Sequence, residues 1–195
     1  MKRILLVIAF LLLAGLVSGC SSLYRVSYFG PNQVFRLDSS DILLTFDDGP
    51  CENTPRVLEI LRENNMKAAF FLKGENAARY PELVAQIAAE GHIVGNHTYT
   101  HPWLTRIPLE AGKQEILATQ DVLGEYASRR WFRPPFGDLP KDLADWLTEN
   151  GFTIVRWCGN YPDFKPGDII LSHETDGDLE KLPQIIARIR EVTGK

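Results

Sequence analysis

Basic residues are in deficit in this chain of 195 residues: 21 Lys and Arg stand against 25 Asp and Glu, a formal charge of −4. Nucleic-acid binding rests on a basic footprint, so this balance argues against DNA or RNA as a partner and suits a neutral polymer better. Long apolar runs are also few. The one at the start, Ile4 to Gly19, is 16 residues, short of the ~20 that a membrane-spanning helix needs. Internal repeats and low-complexity tracts are absent, which excludes a solenoid or a disordered polymer. Histidine is scarce: there are four, and two of them, His97 and His101, sit four apart. Cysteine is scarcer, with three.

The first 20 residues form a targeting segment. Lys2 and Arg3 make a short basic region, and an apolar stretch follows from Ile4 to Val17. Small residues before a cysteine signal cleavage, and Val17-Ser18-Gly19-Cys20 resembles a bacterial lipobox. The expectation is a lipoprotein signal over 1–19, lipidation at Cys20, export, and anchoring to a membrane through several acyl chains, since one chain alone holds weakly. Ser21 favours the outer membrane if the host is Gram-negative. An ordinary secretory signal is the alternative reading. Cleavage leaves 176 residues at −6, enough for one domain with a substantial core. Export permits a disulfide between the two remaining cysteines, Cys51 and Cys158. Either they are bridged, or they are two separate small apolar side chains.

Residues 20–40 read as a tether leading into a domain over 41–195. From there apolar runs alternate with helical patterns. Strands are predicted at Asp41–Phe46, Ala68–Leu72, His92–Asn96, Arg130–Arg133, Phe152–Trp157 and Asp168–Ser172. Helices are predicted at Thr54–Asn65, Ala77–Glu90, Leu109–Ala127, Lys141–Asn150 and Leu179–Val192. Such alternation implies parallel strands and an α/β domain. Every residue with evident chemistry follows a strand, which in a barrel is the face that carries the site.

Two adjacent carboxylates, Asp47 and Asp48, end the run Ile42-Leu43-Leu44-Thr45-Phe46. One carboxylate plus two imidazoles is a common shell for a divalent ion with open positions. The second carboxylate is then free to act as a base on water, the kit for metal-assisted hydrolysis. Successive strand residues point opposite ways, so the two carboxylates can serve different ends. His92 has no such context and reads as structural.

Thr45-Phe46-Asp47-Asp48-Gly49-Pro50, His97-Thr98-Tyr99-Thr100-His101-Pro102, Arg133-Pro134-Pro135-Phe136-Gly137 and Ile170-Leu171-Ser172-His173 resemble, in order, the signature motifs of the polysaccharide deacetylases (carbohydrate esterase family 4), over roughly residues 41–190. The resemblance implies a distorted (β/α) barrel of about seven parallel strands and metal-dependent removal of N-acetyl groups from a glycan. It implies Asp48, His97 and His101 as ligands of zinc or of cobalt, nickel or manganese. It implies Asp47 as general base, Arg133 as its partner, the Phe136 amide as an oxyanion donor and His173 as general acid. The family has an Asp-Trp pair where this chain has Asp163-Phe164. By that correspondence Asp163 tunes His173, and Phe164 lines the groove. Tyr99 and Trp103 are candidates for stacking on sugar rings, and Leu171 with Ile170 for a pocket around the acetyl methyl. O-acetyl ester hydrolysis and a non-catalytic glycan-binding role remain as alternatives.

Overall fold

The computed structural model describes residues 26–28 and 32–195. The expected signal segment and Cys20 lie outside the described residues. The elements are β1 (Val26–Tyr28), β2 (Gln33–Leu37), β3 (Leu43–Asp47), α1 (Thr54–Glu63), β4 (Ala69–Leu72), α2 (Gly74–Arg79), α3 (Pro81–Ala89) and β5 (Ile93–Asn96). They continue as α4 (Leu109–Leu123), β6 (Trp131–Phe132), α5 (Lys141–Glu149), β7 (Thr153–Val155), β8 (Ile169–His173) and α6 (Asp176–Thr193).

The eight strands form one sheet in the order β1-β2-β7-β6-β5-β4-β3-β8. All neighbours are parallel except β1 against β2. Seven parallel strands thus curl into an α/β half-barrel, as expected. Their alternation explains the two sides. Ile42, Leu44, Phe46, Phe70, Leu72, Val94 and Ile170 point outward into one core with the helices. Leu43, Ala69, Phe71, Ile93, Trp131, Val155 and Ile169 point inward and fill the barrel. At the carboxyl ends the same alternation aims Asp47, Arg133 and His173 inward. No helix among the described residues is long and apolar enough to cross a membrane.

The seventh parallel strand is a correction to the expected tether. Residues 33–37 are β2, paired with β7 through Gln33–Ile154 and Val34–Val155. Beyond it, the Leu37 N–H donates to Gly167 O (2.7 Å) and Arg36 pairs with Asp168. Joining β7 to the start of β8, β2 closes the gap the other strands leave. The segment reads as a tether because only Val34 and Leu37 are apolar and buried, too few for a periodic signal. Other differences are local. The predicted helix 77–90 starts earlier and breaks at Tyr80, because Pro81 lacks the N–H that would continue it. In α4 only part of the expected apolar set is buried; Leu117 and Val122 face solvent.

If β2 belongs to the barrel, Leu37→Ala removes a core side chain. It should lower the unfolding free energy by about 2–5 kcal/mol in urea titration. A tether residue would change it by less than about 0.5 kcal/mol.

Candidate active site

The Arg133 guanidinium lies inside the barrel with none of its surface exposed. One terminal nitrogen donates to Asp47 Oδ1 (2.8 Å) and to Thr45 Oγ1 (2.6 Å), Nε to Val155 O (3.2 Å), and the other terminal nitrogen to Arg156 O (3.3 Å). It lies over the Phe71 ring at 4.1 Å. A buried charge is tolerable only when paired and hydrogen-bonded, and this one is both. Burial pulls its pKa below the ordinary value, and Asp47 opposes that pull. Room for the Phe71 ring comes from Gly95, where a Cβ would approach Phe71 Cδ1 to 2.6 Å.

Asp47 turns its other oxygen toward His97 Nε2, at 3.7 Å. Asp48 follows with a left-handed backbone, φ 70°. That twist brings Asp48 Oδ1 to 3.8 Å from His97 Nε2 and 3.4 Å from His101 Nε2. A loop contact fixes the backbone here: Asn76 Nδ2 donates to the Asp48 main-chain O (2.7 Å). Gly49 next to it passes so near Glu174 that a Cβ would lie 2.1 Å from Glu174 Oε1.

The two histidines are set by a rigid loop. His97 Nδ1 donates to Arg133 O (2.7 Å), which leaves Nε2 as a free lone pair facing Asp48. Burial holds the His97 pKa below its usual value and so favours the neutral imidazole, the form that can bind a metal ion. Asn96 ties the loop down, accepting from Thr98 N–H (3.0 Å) and donating to Ile116 O (2.9 Å). Glu115 of α4 accepts from the backbone N–H of Tyr99 and Thr100 (2.9 and 2.7 Å). Thr98 and His101 both take positive φ, so the pair does not use a helical face.

Asp48, His97 and His101 each offer one ligand atom, all within 4.8 Å of one another. Asp48 Oδ1 is buried and has no hydrogen-bond partner. An orphaned carboxylate oxygen aimed at two imidazole lone pairs fits a divalent cation, whose ligands lie ~2.0–2.2 Å from it. His173 stands across the site, with Nε2 3.9 Å from Asp48 Oδ2.

Several expected residues sit elsewhere. Asp163 is exposed, and its backbone N–H bonds Asn160 O (2.8 Å). The carboxylate that meets His173 is Asp178, at 3.5 Å from Nδ1. Phe164 is 2% exposed and belongs to the helix-side core, so it lines no groove. The Tyr99 ring lies against Gly74 at the start of α2. Trp103 does stand at the site. It stacks on Phe136 (centroids 3.9 Å apart, 7° between planes), and Phe136 meets His101 edge to face at 4.5 Å. Their exposures of 41% and 49% make an open aromatic rim. Leu171 lies on the inward face beside Thr45, two residues from His173, and stays partly open. Ile170 points outward into the core.

Cys51 and Cys158 are both free thiols. Cys158 N–H bonds Ile169 O at the start of β8, whereas Cys51 Sγ lies against Glu174, just past its end. Five strand residues span about 16 Å, beyond the ~7 Å limit for bridging. Burial raises both thiol pKa values. His92 is structural, as read: it is buried, accepts the Ala68 N–H on Nδ1 (3.2 Å), and burial lowers its pKa to about 4.

Glu174, Asn96, Glu115, Asn76 and Asp178 escaped the sequence reading. Each works through backbone or loop contacts that no spacing rule marks. Thr175 and Asp178 do fit a Ser/Thr-x-x-Asp/Glu capping pattern at the start of α6, which by itself announces only a helix.

A barrel of parallel strands with carboxylates and imidazoles gathered at their carboxyl ends defines a class, the α/β barrels whose site is built from the strand-to-helix loops. Comparison with known proteins is more specific. A family model described as polysaccharide deacetylase matches residues 36–155, and the chain belongs to that family. It is 35% identical over 191 residues to a peptidoglycan-N-acetylglucosamine deacetylase of Bacillus cereus, covering 86% of this chain and 68% of that one. It is 34% identical over 157 residues to a chitooligosaccharide deacetylase of Azorhizobium caulinodans, covering 70% and 75%. The crystal structure of a peptidoglycan N-acetylglucosamine deacetylase in complex with 4-naphthalen-1-yl-N-oxidanyl-benzamide superposes with a TM-score of 0.77 at 34% identity, over 82% of this chain and 87% of that one.

Glu174 gives the site a pH signature. The carboxyl is buried behind the Asp48 loop, where Thr54 and Cys51 donate to it and Asp48 repels it. Burial raises its pKa from 4.5 to about 7. A raised carboxyl favours the folded state fully below pH 4.5 and loses that contribution as pH climbs through about 7. In metal-free protein the loss is of order 3 kcal/mol. Glu174→Gln should abolish it, so thermal melts between pH 5 and pH 8 should show a flatter profile for the variant than for the wild type.

Proposed function

We propose that this protein is a metal-dependent deacetylase that removes N-acetyl groups from N-acetylhexosamine residues of a cell-envelope or extracellular glycan. The observation that carries the reading is the placement of Asp47. It is clamped by buried Arg133 and adjoins, without joining, the Asp48, His97 and His101 cluster. Similarity to peptidoglycan and chitooligosaccharide deacetylases supports a glycan of N-acetylglucosamine.

Asp48, His97 and His101 would hold the divalent ion, most simply zinc, which would acidify water and polarise the scissile carbonyl. Arg133 holds the Asp47 carboxylate aimed into the site, so that Asp47 takes a proton from the attacking water. Phe136, whose ring touches His101, carries a backbone N–H that donates to the developing oxyanion. Amide cleavage expels an amine, which leaves poorly unless protonated. His173, across the site with Nε2 inward, supplies that proton. Acetate and a glucosamine unit are the products. The Trp103–Phe136 rim gives a sugar ring an apolar surface, and Leu171 offers a wall for the acetyl methyl. The lipobox-like Cys20 supports an exported, lipid-anchored enzyme with its glycan in the envelope.

An O-acetyl esterase would use the same cluster but depend less on His173, because an alkoxide leaves more readily. A glycan-binding module would need none of the acid–base groups. Acetate release from N-acetylglucosamine oligomers and from an O-acetylated sugar, each with zinc and with chelator, separates the three. Release from the N-acetyl substrate that chelator abolishes is expected. Release from the O-acetyl sugar alone would make it an esterase, and metal binding without release a binding module.

Two substitutions divide the roles. Asp47→Asn should lower kcat about 10²–10⁴-fold with little change in zinc affinity by calorimetry. His101→Ala should weaken zinc binding itself.

A further inference from the structure

The carboxylate expected to orient His173 is not there. Asp163 lies exposed on the β7–β8 loop. In its place Asp178, in the first turn of α6, brings Oδ2 to 3.5 Å from His173 Nδ1. The same oxygen accepts the His173 backbone N–H at 2.9 Å. Asp178 is itself fixed, its N–H bonding Thr175 O (3.1 Å) and Thr175 Oγ1 (3.3 Å). The imidazole therefore presents Nδ1 to Asp178 and Nε2 to Asp48.

We infer that Asp178 is the positioning residue for His173: it takes the Nδ1 proton in a hydrogen bond and holds Nε2 toward the leaving amine. The inference rests on the deacetylase reading above for its consequence, but the pairing stands on geometry alone. The ring nitrogen facing a carboxylate carries the proton, so the other nitrogen has its orientation and tautomer set. A gap of 3.5 Å is long for a finished hydrogen bond, and catalytic hydrogen bonds commonly tighten only when substrate is bound. The competing account is that Asp178 merely caps α6 and latches the turn after β8. That role needs an acceptor for the His173 N–H, and an amide oxygen would serve. Orienting an imidazole that becomes cationic after regeneration needs the charge. The family match ends at Val155, so neither His173 nor Asp178 falls within it.

The test compares Asp178→Asn, Asp178→Glu and Asp163→Asn in the zinc-loaded enzyme, on N-acetylglucosamine oligomers and on 4-nitrophenyl acetate. The aryl ester leaves without protonation and so reports on everything except the acid. Asp178→Asn should lose about 10–100-fold in kcat on the oligomer, the usual scale for an orienting partner, with KM and ester hydrolysis little changed. Asp178→Glu should recover part of the loss, and Asp163→Asn should behave as wild type. Nitrogen NMR of histidine-labelled, metal-free wild type should show His173 protonated on Nδ1, a preference that Asp178→Asn removes.

Wild-type kcat in Asp178→Asn, equal losses on both substrates, or the loss appearing in Asp163→Asn would each overturn the inference. If Asp178→Asn fails to fold, the wild-type spectrum decides, and protonation on Nε2 alone would refute the pairing. A wild type that shows the Nδ1 proton but releases no acetate would refute the deacetylase reading while upholding Asp178 as the partner of His173.

Discussion

The buried Arg133–Asp47 pair is the interaction on which the site depends. Arg133 reaches into the barrel from the end of β6, meets Asp47 from the end of β3, and binds carbonyls at the end of β7. Its own carbonyl fixes the His97 ring. Arg133 thus joins four strands at their carboxyl ends, β6, β3 and β7 through its guanidinium and β5 through its carbonyl, and sets both Asp47 and His97. Desolvating it is costly, and only the full set of acceptors offsets the cost. The requirement spreads outward, since Phe71 must lie under the guanidinium and position 95 must lack a side chain to let it.

Around that pair the loops are held by contacts remote in sequence. Glu115 of α4 grips the backbone of 99–100, Asn76 of α2 grips Asp48, and Glu174 fills the space behind Gly49. Asp48, Thr98, His101 and Phe136 all adopt positive φ. Such backbone is costly for residues other than glycine and persists only where the surroundings over-determine it. Its concentration in three loops around one cluster marks the site as firmly as its chemistry does.

The tail of β8 shows how a motif and its support come apart. His173 points inward, in register with Asp47 on the adjoining strand. Its carboxylate partner comes from the following helix instead of the preceding loop, and Phe164 is core instead of groove. An aspartate in the first turn of a helix has an ordinary reason to be there, so nothing in the residue string distinguished Asp178. The cysteines teach the same lesson. Two thiols flanking motif loops look like a pair until the strand between them supplies the distance.

What the sequence determined by itself was the alternation of strand and helix, the inward ends of the strands, and the residues that gather at the candidate site: Asp47, Asp48, His97, His101, Arg133 and His173. These were legible because each depends on local pattern or on a motif of contiguous residues. The tertiary structure alone decided that residues 33–37 complete the barrel, that Asp178 meets His173, that the thiols are separate, and that Tyr99 and Phe164 are packing residues. Those outcomes turn on which distant segments share a face, a matter of strand order and register that no local stretch encodes.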